Sequence, residues 1–134
     1  MPQYDRTKIK ELKDYLYQSN IHDAEYEESW YDKEKKILFL SVMNPIFNKK
    51  IIFTFYNVKI ILIINRNEFG SCDTILSLTV EDDYSHIENC TKINGDELED
   101  SIYLLFQMFS CDELHIIAKE VFVDVKEYWW DDGI

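Results

Sequence analysis

Residues 51–64 read Ile-Ile-Phe-Thr-Phe-Tyr-Asn-Val-Lys-Ile-Ile-Leu-Ile-Ile, a run of β-branched and aromatic side chains. Such residues suit the pleated, half-buried surface of a sheet and lose rotamer freedom in a helix. Its longest aliphatic part, Ile60 to Ile64, falls far short of the roughly 20 residues a membrane helix needs. Fourteen residues also exceed the usual strand. The run therefore predicts a long strand with a bend or bulge near Asn57.

The flanking sequence predicts more strands and one helix. Ile9, Leu12 and Leu16 recur at three- and four-residue spacing with Tyr15 beside them, which predicts an amphipathic helix over about 5–19. Asp5 or Thr7 is the candidate cap. Strands are expected at about 24–31, 37–43, 51–64, 74–81, 87–93, 101–109 and 114–126. Asn44-Pro45 ends the second, because proline cannot continue a central ladder. Asn94-Gly95 is the strongest hairpin signal. The last two strands carry apolar residues on both faces, as central strands covered on both sides do. The expected fold class is α+β: an N-terminal helix packed on a mainly antiparallel, strongly curved β-sheet, meander or sandwich-like. Three glycines and two prolines are few for a tight-cornered barrel. No repeat or linker divides the chain, so residues 1–134 are expected to form a single domain.

Charge narrows the function. The 134 residues carry a formal net charge of -12, with 46% hydrophobic residues. That apolar content argues against a disordered acidic chain. The acidity disfavours nucleic acid and anionic membranes, both of which need a basic face. Its distribution is uneven. Residues 1–66 hold 11 basic and 9 acidic residues, a net of +2, whereas residues 67–134 hold 3 and 17, a net of -14. A solvated face, a patch that steers a basic protein, and a cation site are the three readings of this asymmetry.

Motifs for catalysis are missing: no GxGxxG, Walker A, HExxH, GxSxG or EF-hand pattern occurs. His22-Asp23 is the most suggestive polar pair, since an Asp can orient a His as a base. Neighbours on an extended chain point to opposite faces, however, and both residues also suit a helix-to-strand turn. His115, between Leu114 and Ile116, reads as a satisfied core or edge histidine. Cys72, Cys90 and Cys111 are odd in number, lack CxxC spacing and sit among acids, which weakens a thiolate nucleophile. Reduced thiols and the absence of an apolar h-region predict a cytoplasmic protein. Two acidic clusters, Glu81-Asp82-Asp83 and Asp96-Glu97-Glu99-Asp100, flank the expected hairpin and are candidates for partner binding. Trp129 and Trp130 are a candidate aromatic anchor, or else cover an edge of the sheet. Trp30 and Tyr31 raise the same choice. No metal or other cofactor is expected.

His22-Asp23 before the first strand, the Trp30-Tyr31-Asp32 to Leu40 hairpin, Phe55-Tyr56-Asn57-Val58 and Glu113-Leu114-His115-Ile116-Ile117-Ala118-Lys119 form an ordered set over about residues 21–122. That set resembles a family of small uncharacterised bacterial domains, and comparable small acidic families include immunity proteins of toxin systems. The resemblance implies a non-enzymatic inhibitor and carries over no catalytic residues. The first expectation is thus an acidic binding protein, immunity-like, that meets a basic toxin or enzyme. The alternative is a structural or adaptor domain forming a homo-oligomer through an apolar sheet face. A small hydrolase or metal-dependent enzyme ranks third.

Overall fold

The computed structural model describes residues 3–18, 21, 24–64, 75–81, 84, 85, 87, 98–108 and 112–127. The elements are β1 (Gln3–Asp5), a 3-10 turn (Arg6–Lys8), α1 (Ile9–Gln18), β2 (Glu25–Asp32), β3 (Ile37–Asn44), β4 (Lys49–Ile64), β5 (Ile75–Val80), β6 (Ile102–Met108) and β7 (Glu113–Glu127). The strands form one antiparallel sheet in the order β2-β3-β4-β7-β6-β5, with β1 also paired to β7. The sheet is not closed. One backbone hydrogen bond, Ile75 N to the Ala24 carbonyl at 2.7 Å, links the residue before β2 to the start of β5.

β4 and β7 are the central pair, running side by side from Lys49↔Glu127 to Ile64↔Glu113. The expected irregularity near Asn57 is present. Asn57 takes φ 53, and the register shifts between Val58 and Ile60, so that Lys59 is the extra residue. Asparagine tolerates this left-handed region better than a β-branched residue would. The bulge has a further partner: Val58 N donates to the Lys36 carbonyl in the β2–β3 turn at 3.0 Å. Asp32 Oδ1 organises that turn by accepting from the Glu34 and Lys35 amides. Asn44 does the same for the next one, accepting from Ile46 and Phe47.

The core occupies both faces of the sheet. On the first face, Leu38, Leu40, Phe53, Phe55, Leu104, Phe106 and Ile116 pack together, and α1 covers them with Leu12 and Leu16. Phe53 meets Phe106 edge-on, with centroids 5.4 Å apart. Fully burying side chains of this kind stabilises by about 1.5–3 kcal/mol each. On the opposite face a smaller cluster joins Ile60, Tyr103, Leu105 and Ile117 under Ile87 and Leu98. Tyr103 and Leu105 alternate with Leu104 and Phe106 along β6, so that strand is buried on both sides.

Two expectations need correction. The helix does not begin at residue 5: Asp5 ends a strand, its carboxylate caps the 3-10 turn through the Thr7 amide at 2.9 Å, and α1 follows from Ile9. β1 exists because β6 ends beside Ala118, leaving Glu120 to Phe122 of β7 free to pair with Asp5 to Gln3. The expected strand at 87–93 fails at its start, where Ser85 and Ile87 are helical and Ile87 is buried against the second face; residues 88–93 lie outside the described residues. β5 pairs with β6 through a register shift between Ile75 and Ser77. No helix among the described residues is long and apolar enough to cross a membrane.

Candidate functional site

The antiparallel pairing of β5 with β6 sets Val80 opposite Leu104. Residues following β5 and preceding β6 therefore emerge at the same end of the sheet. Glu81 donates its amide to the Tyr103 carbonyl at 2.8 Å, and Glu99 and Asp100 lie in the turn leading to Ile102. Glu99 is exposed and Glu81 half-buried. Glu81 of the first acidic cluster and Glu99 and Asp100 of the second thus lie at one end of the sheet. Asp82, Asp83, Asp96 and Glu97 lie outside the described residues.

This end is not purely negative. Asp100 pairs with Lys59, the extra residue of the β4 bulge. The hydrogen bond from Lys59 holds the Asp100 carboxyl below the ordinary range, helped by the charges of Lys59 and Lys119 and by Ser101. Close by, Arg6 Nη1 donates to the Tyr84 hydroxyl at 2.8 Å and to the Ser101 carbonyl at 3.3 Å. Tyr84 in turn stacks on Tyr103 at 5.7 Å. One cation from the start of the chain therefore ties the segment over the second face to β6.

A second polar group lies under that segment. His115 is 1% exposed and uses both ring nitrogens. Nε2 lies 2.8 Å from Glu113 Oε1, and Nδ1 lies 2.5 Å from the Tyr103 hydroxyl. An ionised carboxylate only accepts, so Nε2 donates, and a neutral ring then accepts from Tyr103 at Nδ1. With both nitrogens engaged, the buried ring is fixed in orientation by β6 and β7. The sequence pointed to a satisfied histidine here but not to its partners. Glu113 fell outside the expected strand at 114–126, and shares the face of His115 because β7 begins one residue earlier. Tyr103 was hidden by the pairing, because it lies diagonally across from His115: the register pairs Leu105 with His115 and Tyr103 with Ile117.

A third group lies on the outer face of β2, β3 and β4. Glu27 occupies the register shift in β2 between Tyr26 and Glu28. It accepts from Ser41 Oγ at 2.9 Å and pairs with Lys50 at 3.0 Å. Burial pushes the Glu27 carboxyl up, but the hydrogen bonds from Lys50 and Ser41 outweigh it and hold the carboxyl below its ordinary value. Next to this pair, Trp30 stacks on Phe39 with centroids 5.6 Å apart, and Trp30 is 62% exposed. The open space above them, lined by Glu28, Trp30, Phe39, Ser41, Lys50 and Ile52, measures about 500 Å³.

His22, Asp23, Trp129 and Trp130 lie outside the described residues, as do Cys72, Cys90 and Cys111. Among the described residues no group of three or more His, Cys, Asp or Glu side chains is placed to hold a metal ion. No protein-family model matches the chain, and the curated proteins compared with it contain no match.

Proposed function

We propose that this chain is a non-enzymatic acidic binding protein that engages a basic protein, in the manner of an immunity-type inhibitor. The observation that carries the reading is the net of -14 over residues 67–134. The antiparallel β5–β6 pair adds support by delivering Glu81, Glu99 and Asp100 to one end of the sheet. Clustered negative charge steers a basic partner and raises the association rate, an effect that salt screens. The experiment is to co-express the chain with the protein encoded by the adjacent gene, then follow complex formation by surface plasmon resonance. Between about 20 and 200 mM salt the association rate is expected to fall steeply. A complex whose rate is flat in salt, or no complex, overturns the reading.

A self-associating adaptor is the second reading, favoured by the exposed Trp30, Ile46, Phe47 and Ile63. Light scattering across a concentration series tests it, and a strict monomer sinks it. A strongly curved sheet belongs to either reading; the Ile75–Ala24 hydrogen bond between the two ends of the strand order supports it. Three cysteines without CxxC spacing support a reducing, cytoplasmic setting.

A further inference from the structure

β2 is the outer strand of the sheet; the Ala24 carbonyl just before it accepts from Ile75 of β5, and beyond that point its far edge has no strand partner among the described residues. An open edge presents backbone donors and acceptors that template another strand. β2 runs for eight residues, long enough for several ladder bonds. Its sequence, Glu-Tyr-Glu-Glu-Ser-Trp-Tyr-Asp, holds four acids and no base. Glu27 is balanced by Lys50, and Asp32 serves its turn, but Glu25 and Glu28 have no ion-pair partner among the described residues.

The two faces beside this edge differ. On the outer face, Glu28 and Trp30 stand beside the 500 Å³ groove. A carboxylate next to an open indole face suits a Lys or Arg side chain, by charge and by cation–π attraction. On the inner face, Tyr26 and Ser29 border a pocket of about 170 Å³ walled mainly by Leu38, Leu40, Ile61 and Leu114, with Asp112 and Glu113 also in its lining. That pocket suits an apolar side chain. Consecutive residues of an added strand point alternately to these two faces.

We propose that the edge of β2, unpaired among the described residues, takes up an extended segment of a partner protein by strand addition, and that this segment alternates basic and apolar residues. Its basic side chains lie over Glu28 and Trp30, and its apolar ones enter the pocket beside Tyr26 and Ser29. Charge selects this occupant over a second copy of the chain. Pairing two β2 edges sets one acidic strand against another, and facing like charges destabilise a sheet. The inference stands apart from the acidic end at Glu81 and Asp100, and holds even if that end binds nothing.

The test uses an end-blocked octapeptide of alternating lysine and valine, titrated into the whole chain at low salt. Amide chemical shifts and hydrogen exchange are read residue by residue. Binding is expected to shift and protect the amides of Glu25 to Asp32. N-methylating alternate peptide bonds on the ladder side removes the donors and is expected to weaken binding at least about tenfold. The same composition arranged in two blocks, four lysines then four valines, is expected to lose a similar factor. The double variant Glu25→Lys, Glu28→Lys is expected to weaken the alternating peptide at least about tenfold while leaving amide shifts outside β2 and β3 in place. The methylated peptide makes the same test on the unaltered protein, should that variant not fold. Equal binding of the methylated or block peptides overturns the proposal. So do shifts confined to Glu81, Glu99 and Asp100, absence of binding, or a β2 edge already protected in a dimer seen by sedimentation.

Discussion

His115 Nε2 lies 2.8 Å from Glu113 Oε1, while its other ring nitrogen faces the Tyr103 hydroxyl. Two strands thus satisfy one buried ring. Tyr103→Phe keeps the aromatic volume but removes the hydroxyl from Nδ1. Losing a hydrogen bond of this kind costs about 0.5–1.5 kcal/mol. Urea denaturation should show that loss. Replacing both partners, Tyr103→Phe with His115→Leu, should cost less than the two single changes added together. Strict additivity would show that the hydroxyl and the ring do not depend on each other.

The Glu27–Lys50 pair predicts part of the acid response. The folded state holds the Glu27 carboxyl below its ordinary value, so its contribution is present above the unfolded value of about 4.3 and is lost as pH falls through the folded one. Wild type should exceed Glu27→Gln in stability near neutral pH. Because both members of the pair are partly open to solvent, the difference should be small, within about 1 kcal/mol. It should shrink as pH drops from about 5 to about 3. Thermal unfolding across that range checks this, and a gap that widens on acidification contradicts the assignment.

Phe53 and Ile52 are neighbours in sequence on opposite faces of β4. Phe53 is fully buried against Phe55 and Phe106, whereas Ile52 faces the outer groove. Phe53→Ala should cost about 3–5 kcal/mol, from lost transfer energy and the cavity left behind. That is a large share of the 5–15 kcal/mol a domain of this size commonly has. Ile52→Ala should cost clearly less. Guanidinium midpoints for the two variants give the comparison, and equal losses would mean that the outer face is also core.

Lys36 has φ 57 at the end of the β2–β3 turn. A side chain with a Cβ is disfavoured there by roughly 1–2 kcal/mol, and glycine offsets part of that through its greater freedom when unfolded. Lys36→Gly should stabilise the protein by about 0.5–1 kcal/mol. A lower melting temperature would show that the lysine side chain holds the turn in another way.

The helix face and most strands were legible from local pattern. Leu12 and Leu16 recur with the helical period and are buried where that period places them. β3, β4, β6 and β7 follow runs of β-branched and aromatic residues, and Asn57 marked the bulge, because these signals act within a few residues of chain. The candidate polar sites were less legible. Glu81, Glu99 and Asp100 stood out as acids, yet the Lys59 that pairs with Asp100 comes from a bulge 41 residues away.

By itself the sequence determined the types of α1 and of the long strands, the acidic second half and the apolar character of both faces of β6. Only the tertiary structure decided pairing. Gln3 to Asp5 is too short to carry a strand period, and becomes β1 because β6 leaves part of β7 uncovered. Ile87, whose segment resembles a strand locally, is helical and buried over Tyr103 and Ile117. β2 looks like any amphipathic strand in sequence, and its position at the open end of the sheet follows from the order of all the others. Local propensity is set by each residue's own rotamers and backbone, whereas register and edges are set by contacts between segments far apart in the chain.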